Sequence, residues 1–537
     1  MFAAQHEDAQ PRDGRGRGRT EEGGQDGSTG HRAAHGLLQG GQRCTDNFAN
    51  PQPQHPLNYH LPCCQLMARS RTDKVDLAIL GGGAAAFAAA IRADELGFRS
   101  VIINSGLPMG GTCVNVGCIP SKFLLEAGNE YFYRQSPQFA CNLPGAVRCD
   151  FTEAIANKDQ MVHQLRKENY LDVLNGRRVE YIEVKGTLLP GRRVKANGRV
   201  LEARHVLIAT GASPKIPPIE GLAGIGYLTN RTLMQRKELP RELLVLGGGP
   251  LGLEFAQMYA HFGSTVTILE SAPRILPRAE PEVSEEIAHC LKSEGVTIHA
   301  GARVARVHRM GGRVACDLVN EKGTVPCEAE DILVATGIGP NSTGIGLEEA
   351  GVELMAGGYI KTDAHLQTSV PGVWAAGDVA GKLALETVAA KEGAVVAMNA
   401  LKGESRTIDY DLVPSAVFTN PQVASVGLTD AEAAQRGYPC ECRVIDMKRV
   451  PKALTVGDTR GVLKMVADAK TRRILGVHIV SPIAADMIHS AAYALRGRLT
   501  IEDIIDTVHA FPTFSEALKI AAESFHHDMS RMSCCIE

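Results

Sequence analysis

Residues 75–104 read VDLAILGGGAAAFAAAIRADELGFRSVIIN. A short apolar run ends at Leu80, three glycines follow, an alanine-rich stretch of helical character runs to Gly97, and a second apolar run, SVIIN, closes at Asn104. This is the strand-turn-helix-strand order of a βαβ nucleotide-binding unit. Gly81, Gly83 and Ala86 give G-x-G-x-x-A between strand and helix. Glycines there permit the tight turn and let backbone N–H groups reach a pyrophosphate at the helix N-terminus. The acidic residue expected at the end of the second strand, for the ribose hydroxyls, is Asn104, which still accepts one hydrogen bond.

The plan recurs at residues 242–270, ELLVLGGGPLGLEFAQMYAHFGSTVTILE. Gly247, Gly249 and Gly252 supply G-x-G-x-x-G, and Glu270 ends the next strand. A carboxylate there accepts from ribose hydroxyls and repels a 2′-phosphate; Arg274 stands near enough in sequence to offset part of that repulsion. Further strands end in LIATG (207–211) and LVATG (333–337). After Asp409 the pattern changes to strands such as VLKMVAD (462–468) and RILGVHIV (473–480), then helical stretches at 484–497 and 514–529. The expected class is α/β: two Rossmann-like dinucleotide-binding domains plus a C-terminal α+β module suited to dimerisation.

At 537 residues, 44% hydrophobic and 22% charged, the chain has material for three or four globular units. A net charge of −3 argues against a partner held by a broad positive field, such as nucleic acid. No apolar run approaches the ~18 residues needed to cross a bilayer. Residues 1–72 lack apolar periodicity, contain no lysine, and read as a disordered segment, with Met67 an alternative start. No secretory signal is present, so a reducing, cytoplasmic setting is expected, where paired cysteines signal redox or metal chemistry. Of the 14 cysteines, Cys63–Cys64 and Cys534–Cys535 are vicinal. Cys440 and Cys442 alternate on an expected strand and read as surface or core thiols.

The sharpest local signal is GGTCVNVGCIPSK, residues 110–122. Cys113 and Cys118 fall near the start of a helix, where the helix dipole and the nearby Lys122 favour a thiolate.

This string resembles the redox-active disulfide of the flavin-dependent pyridine nucleotide-disulfide oxidoreductases, and the resemblance covers residues 74–537 with its motifs in family order. VPGVWAAGDVAG (370–381) resembles the family's second flavin motif, which implies that Asp378 meets the ribityl chain of FAD. The resemblance adds Gly111, Thr112, Lys122, Thr210, Gly211, Gly337 and Gly377 to the cofactor-binding set. It implies electron flow from NADPH or NADH through FAD, beside Glu254 and Lys122, to Cys113 (interchange thiol) and Cys118 (charge-transfer thiol).

The implied layout is a first FAD-binding part at 73–215, a NAD(P)-binding domain at 216–335, a second FAD-binding part at 336–408, a dimerisation domain at 409–528 and a flexible Cys-Cys tail at 529–537.

The C-terminal end selects the branch. Disulfide-reducing members carry HAHPT, whose second His is a base; here HAFPTFSE (509–516) puts Phe511 at that position. Phe transfers no proton, which leaves Glu516 without its usual partner; His509 matches the structural first His. The tail RMSCCIE (531–537) is similar to the end of mercuric reductases, where a vicinal pair captures Hg(II) and passes it to the redox cysteines of the partner subunit. Soft thiolates suit a soft cation. Cys113, Cys118, Cys534 and Cys535 are thus the expected metal ligands. Tyr170, in LRKENYLDVL (165–174), matches one active-site tyrosine of that branch; the other falls on Phe511, keeping the ring and losing the hydroxyl. Pro250 stands where many disulfide reductases place a flavin-shielding Tyr. Residues 1–72 lack the branch's N-terminal metal-binding module, and Cys63–Cys64 reads as incidental.

The reading is a homodimeric flavoenzyme reducing Hg(II) to Hg(0). Its rivals are a dihydrolipoamide dehydrogenase or related disulfide reductase, and a soft-metal-binding protein on an enzyme scaffold.

Overall fold

The computed structural model describes residues 72–135, 148–320 and 323–528, all within one unit, Ala68–Glu537. Strand Thr72–Leu80 carries the apolar run into the core: Leu77, Ala78 and Ile79 are fully buried. Helix Ala84–Glu95 lies against it through Ala85, Ala86, Ala89, Ala90 and Ala93, a face of single methyl groups that allows close approach. That face also meets helix Glu386–Lys402, so the two helices pack closely over the sheet.

The described residues form five sheets. In the first, Thr72–Leu80 sits between Ser100–Asn104 and Arg199–Ile208, parallel to both. Val179–Glu183 extends one edge, and Val373–Ala375 returns late in the chain to pair in parallel with Arg199–Ile208. A second, all-parallel sheet runs Thr297–His299, Thr265–Leu269, Glu242–Leu246, Asp331–Val334. Parallel strands buried on both faces read as continuous apolar runs, which is why ELLVL is legible. An antiparallel meander (Arg303–Met310, Arg313–Asn320, Gly323–Ala329) accompanies this second sheet. Ala212–Pro214 pairs with Ile338–Pro340 where the chain leaves and re-enters the first sheet's region.

The C-terminal part is a five-stranded antiparallel sheet with Ser415–Val417 and Cys440–Asp446 at its edges, backed by helices Ala484–Gly497 and Glu516–Glu523. The last helix is shorter than the 514–529 stretch expected: Phe514 and Ser515 precede it and it ends at Glu523. An ion cluster joins this sheet to the helix Pro281–Ser293. The buried Lys464 contacts Glu280 at 2.9 Å and Glu282 at 3.0 Å.

Candidate functional site

Where the Gly81–Gly83 turn meets the Gly110–Gly111 loop, a cavity of about 600 Å³ opens at the carboxyl ends of the first sheet's strands. This is where open α/β sheets bind ligands. Gly81, Gly83, Asn104, Gly111, Thr112, Thr210, Gly211, Gly377 and Asp378 all line it, together with Cys113 and Cys118.

The cradle leaves no room for side chains. Gly81 has φ +121°, and a Cβ there would lie 2.1 Å from the Ala209 carbonyl oxygen. Gly111 has φ +62°, with a Cβ position 2.6 Å from the Gly83 Cα. The loop before Cys113 therefore touches the phosphate-binding turn backbone to backbone. A cradle that excludes side chains at both loops, with free N–H groups at a helix start, fits an extended dinucleotide such as FAD.

Asn104 is held by donating to the Leu107 carbonyl at 2.9 Å and to the Tyr181 hydroxyl at 3.3 Å, which leaves its amide oxygen available to accept. Asp378 faces the cavity from the turn that follows Val373–Ala375, and burial raises its carboxyl above the usual range. That turn is fixed by Glu392, a buried carboxylate accepting from the Gly377 N–H at 2.6 Å and the Tyr410 hydroxyl at 2.7 Å. Neither Glu392 nor Tyr410 was flagged by the sequence, where each stands in an ordinary helical or loop context.

Ala86 does not reach the cavity; it is fully buried where helix and strand meet, the packing role of the third position in this motif.

Cys113 sits in the short helix Gly111–Val116 and Cys118 opens the helix Cys118–Gln135. Both are free thiols, with Cys118 the more exposed. A hydrogen bond from Cys113 to the Cys118 sulfur raises Cys113 far above the ordinary thiol range. The same bond, helped by the charge of Lys122, lowers Cys118 to about 7 against the opposing effect of burial. The pair is thus unequal, one thiol protonated and one poised as thiolate.

Lys122 itself turns from the cavity to Glu254, with Nζ 2.7 Å from Oε2, and lies 4.6 Å from the Phe418 ring centroid. The other Glu254 oxygen accepts from the Phe418 N–H at 2.9 Å. This part-buried pair ties the dithiol helix to helix Pro250–Phe262, which starts at the second glycine turn.

Tyr170 lies on a π-helical turn, Lys167–Leu171, a local widening that often marks functional positions. Its ring packs edge-on against Phe87 at 4.9 Å and borders Gly110. Burial pushes its hydroxyl up to about 12. Glu386, at the first turn of helix Glu386–Lys402, lines the same cavity and acts electrostatically on Cys113, Cys118 and Tyr170. The sequence reading missed it, because only tertiary folding brings residue 386 beside residue 113.

The second glycine turn follows the parallel sheet. Gly247 has φ +113°, and Gly249 caps the helix Pro250–Phe262. A Cβ at Gly252 would meet the Gly247 carbonyl oxygen at 2.0 Å. Glu270 is pinned beside this turn, accepting from the Gly248 N–H at 2.7 Å and the Ala272 N–H at 2.6 Å. Gly337 follows the strand Asp331–Val334 at φ +108°. Arg274 is committed elsewhere: it donates to the Pro277 and Ala279 carbonyls at 3.2 and 3.1 Å.

Near the end of the described chain, His509 Nε2 bonds the Ile504 carbonyl at 3.1 Å, Phe511 is exposed, and Glu516 Oε2 is buried without a hydrogen-bond partner among the described residues. Cys63, Cys64, Cys534 and Cys535 lie outside the described residues.

Two glycine-turn dinucleotide folds and an asymmetric dithiol set into the first of them define an oxidoreductase that couples two nucleotides to a cysteine pair. The chain belongs to the pyridine nucleotide-disulphide oxidoreductase family: residues 75–393 match the family's model and 413–522 match that of its dimerisation domain.

It is 40% identical over 469 residues to a mercuric reductase of Streptomyces lividans, covering 86% of this chain and 98% of that one. It is 39% identical over 465 residues to one of Lysinibacillus sphaericus, covering 86% and 85%. Among solved structures, the HOCl-induced flavoprotein disulfide reductase RclA of Escherichia coli superposes with a TM-score of 0.75 at 29% identity, covering 83% of this chain and 99% of that one. No helix among the described residues is long and apolar enough to cross a membrane.

Proposed function

We propose that this enzyme reduces Hg(II) to Hg(0) at the expense of NADPH or NADH, as a homodimer. The observation that carries the reading is the asymmetric Cys113–Cys118 pair facing the dinucleotide cavity, in a chain whose relatives include the mercuric reductases above. The dimerisation-domain match supports the homodimer.

The first glycine turn, Asn104, Gly111, Thr112, Thr210, Gly211 and the Gly377–Asp378 turn hold FAD. Gly247, Gly249, Gly252, Glu270 and Gly337 hold the nicotinamide nucleotide. The domain limits follow: 73–215 and 336–408 serve FAD, 216–335 the nicotinamide nucleotide, and 409–528 the dimer. Bound FAD supplies two-electron transfer between the nicotinamide and the cysteine pair.

The chain's own residues do the rest. Lys122 and Glu254 fix the dithiol helix and place a positive charge beside Cys118. Cys118 holds the thiolate, Cys113 exchanges ligands with the incoming metal, and Tyr170 borders the metal's approach. Cys534 and Cys535 deliver Hg(II) from the tail. Overall, NAD(P)H and Hg(II) yield NAD(P)⁺, a proton and Hg(0).

Dihydrolipoamide reduction is the rival, since a Thermus scotoductus dihydrolipoyl dehydrogenase is 35% identical over 456 residues. It lacks support at Phe511, which offers Glu516 no proton-transferring partner. Anaerobic NADPH and NADH oxidation, with and without HgCl₂ in excess thiol, decides between them. Mercury-dependent oxidation with loss of volatile Hg(0) is expected. Oxidation driven by lipoamide and indifferent to HgCl₂ would reverse the assignment.

A further inference from the structure

Strand Cys440–Asp446 is an edge of the C-terminal sheet, and its residues 440 and 442 point to one face because strand side chains alternate. At about 3.3 Å rise per residue their Cα atoms lie roughly 6.6 Å apart, within the reach of two thiols converging on one ion. Both side chains are half-buried against a small apolar cluster of Leu428, Ala433 and Val466.

Two further groups turn this from a pair of spare thiols into a cluster. The Asp430 carboxylate accepts from the Cys440 thiol at 3.2 Å and acts electrostatically on Cys442. Lys464 Nζ stands 3.8 Å from the same carboxylate. Its charge favours the thiolate at both cysteines, although burial and Asp430 keep them protonated, Cys442 being pushed up to about 12. The cluster is separate from the redox cavity, whose lining includes neither cysteine.

We infer that Cys440 and Cys442 form a second metal site, taking a two-coordinate soft cation such as Hg(II). The donor count selects the ion. Among the described residues no three His, Cys, Asp or Glu side chains converge as a metal cage. A four-coordinate ion such as Zn²⁺ finds too few ligands here, whereas a soft cation is satisfied by two sulfurs.

In the capture step each S–H bond is replaced by an S–metal bond. Both protons pass to water, and no electrons move. The metal then rests on the C-terminal sheet, away from FAD, so the site stores the cation without reducing it. The inference does not depend on mercury turnover, because binding is read with no nicotinamide present.

Trypsin releases residues 437–443 between Arg436 and Arg443, a peptide holding both thiols and no other cysteine. Full-length holoenzyme in which Cys113, Cys118, Cys534 and Cys535 are all changed to Ala is given one equivalent of HgCl₂ in the presence of competing free cysteine, then alkylated and digested. The expected result is joint protection of both thiols by at least tenfold and a peptide carrying one mercury in place of two protons. Cys440→Ser and Cys442→Ser should each abolish protection of the remaining thiol. Alkylation that HgCl₂ does not alter, or single-serine variants that protect as well as the parent, would overturn the site.

Discussion

Cys118, lowered to about 7 by the hydrogen bond from Cys113 and then by Lys122, makes the charge state of the site readable in solution. A thiolate beside oxidised flavin gives long-wavelength absorption. In the two-electron-reduced holoenzyme that band should fade as pH drops through about 7, because protonation removes the donor. It should be absent at every pH in Cys118→Ser. Removing the positive charge in Lys122→Met disfavours the thiolate and moves the midpoint up, whereas Lys122→Arg keeps the charge and holds it nearer the original; an unmoved midpoint in Lys122→Met would remove Lys122 from this role.

Glu270 carries a second prediction at the same scale. Its carboxylate is fixed at the second glycine turn by two backbone N–H groups, and Arg274 is tied to two carbonyls rather than turned toward a phosphate. A 2′-phosphate entering there meets like charge with no counter-ion from Arg274. NADH should therefore serve at least comparably to NADPH. Glu270→Arg should shift the kcat/KM ratio toward NADPH, tenfold for each gain of about 1.4 kcal/mol. A wild-type preference for NADPH of a hundredfold or more would show that the carboxylate does not control the choice.

Between elements, a tight constraint falls where helix Glu386–Lys402 crosses helix Ala84–Glu95. A Cβ on Gly393 would lie 2.0 Å from the Ala85 carbonyl oxygen, with backbone rather than a flexible side chain in the way. These helices begin at Glu386 and at the first glycine turn, so their separation sets the cavity's width. Gly393→Ala should force them apart, costing about 1–3 kcal/mol as overpacking does. The variant should melt a few degrees lower and lose FAD more readily on dialysis. Gly224→Ala, where a Cβ meets open space, is the control. Equal melting and FAD retention in the two variants would mean that the helix contact does not govern the cavity. The sequence signalled the two helices through their alanine content and flanking turns, but not that Gly393 is their contact point, because that depends on where the chain returns after some 290 residues.

Across the whole molecule, the proposed function divides delivery and chemistry between distant parts of the chain. The dithiol stands near the beginning of the described fold and the Cys534–Cys535 pair belongs to the C-terminal tail. If the tail hands over the metal, Cys534→Ala with Cys535→Ala should abolish turnover of thiol-complexed Hg(II) while flavin reduction by the nicotinamide nucleotide persists. Stopped-flow absorbance separates the two steps, and undiminished mercury turnover in the double variant would eliminate the delivery role.

The sequence by itself determined the two βαβ units, their glycine turns and the position of the redox cysteines. Each of these is local: a turn that needs φ beyond the reach of other residues, a helix that starts at once, and two thiols five positions apart obey constraints written within a dozen neighbouring residues. Tertiary structure alone decided the rest. It set Glu386 beside Cys113, tied Lys122 to Glu254 across 132 residues, buried Glu392 beneath the Gly377 turn, and gathered Cys440, Cys442, Asp430 and Lys464 into one cluster. The physical reason is that charges and thiols act through space at a few ångströms, and the periodicity that reveals a strand or helix does not record which distant side chain the finished fold sets against it.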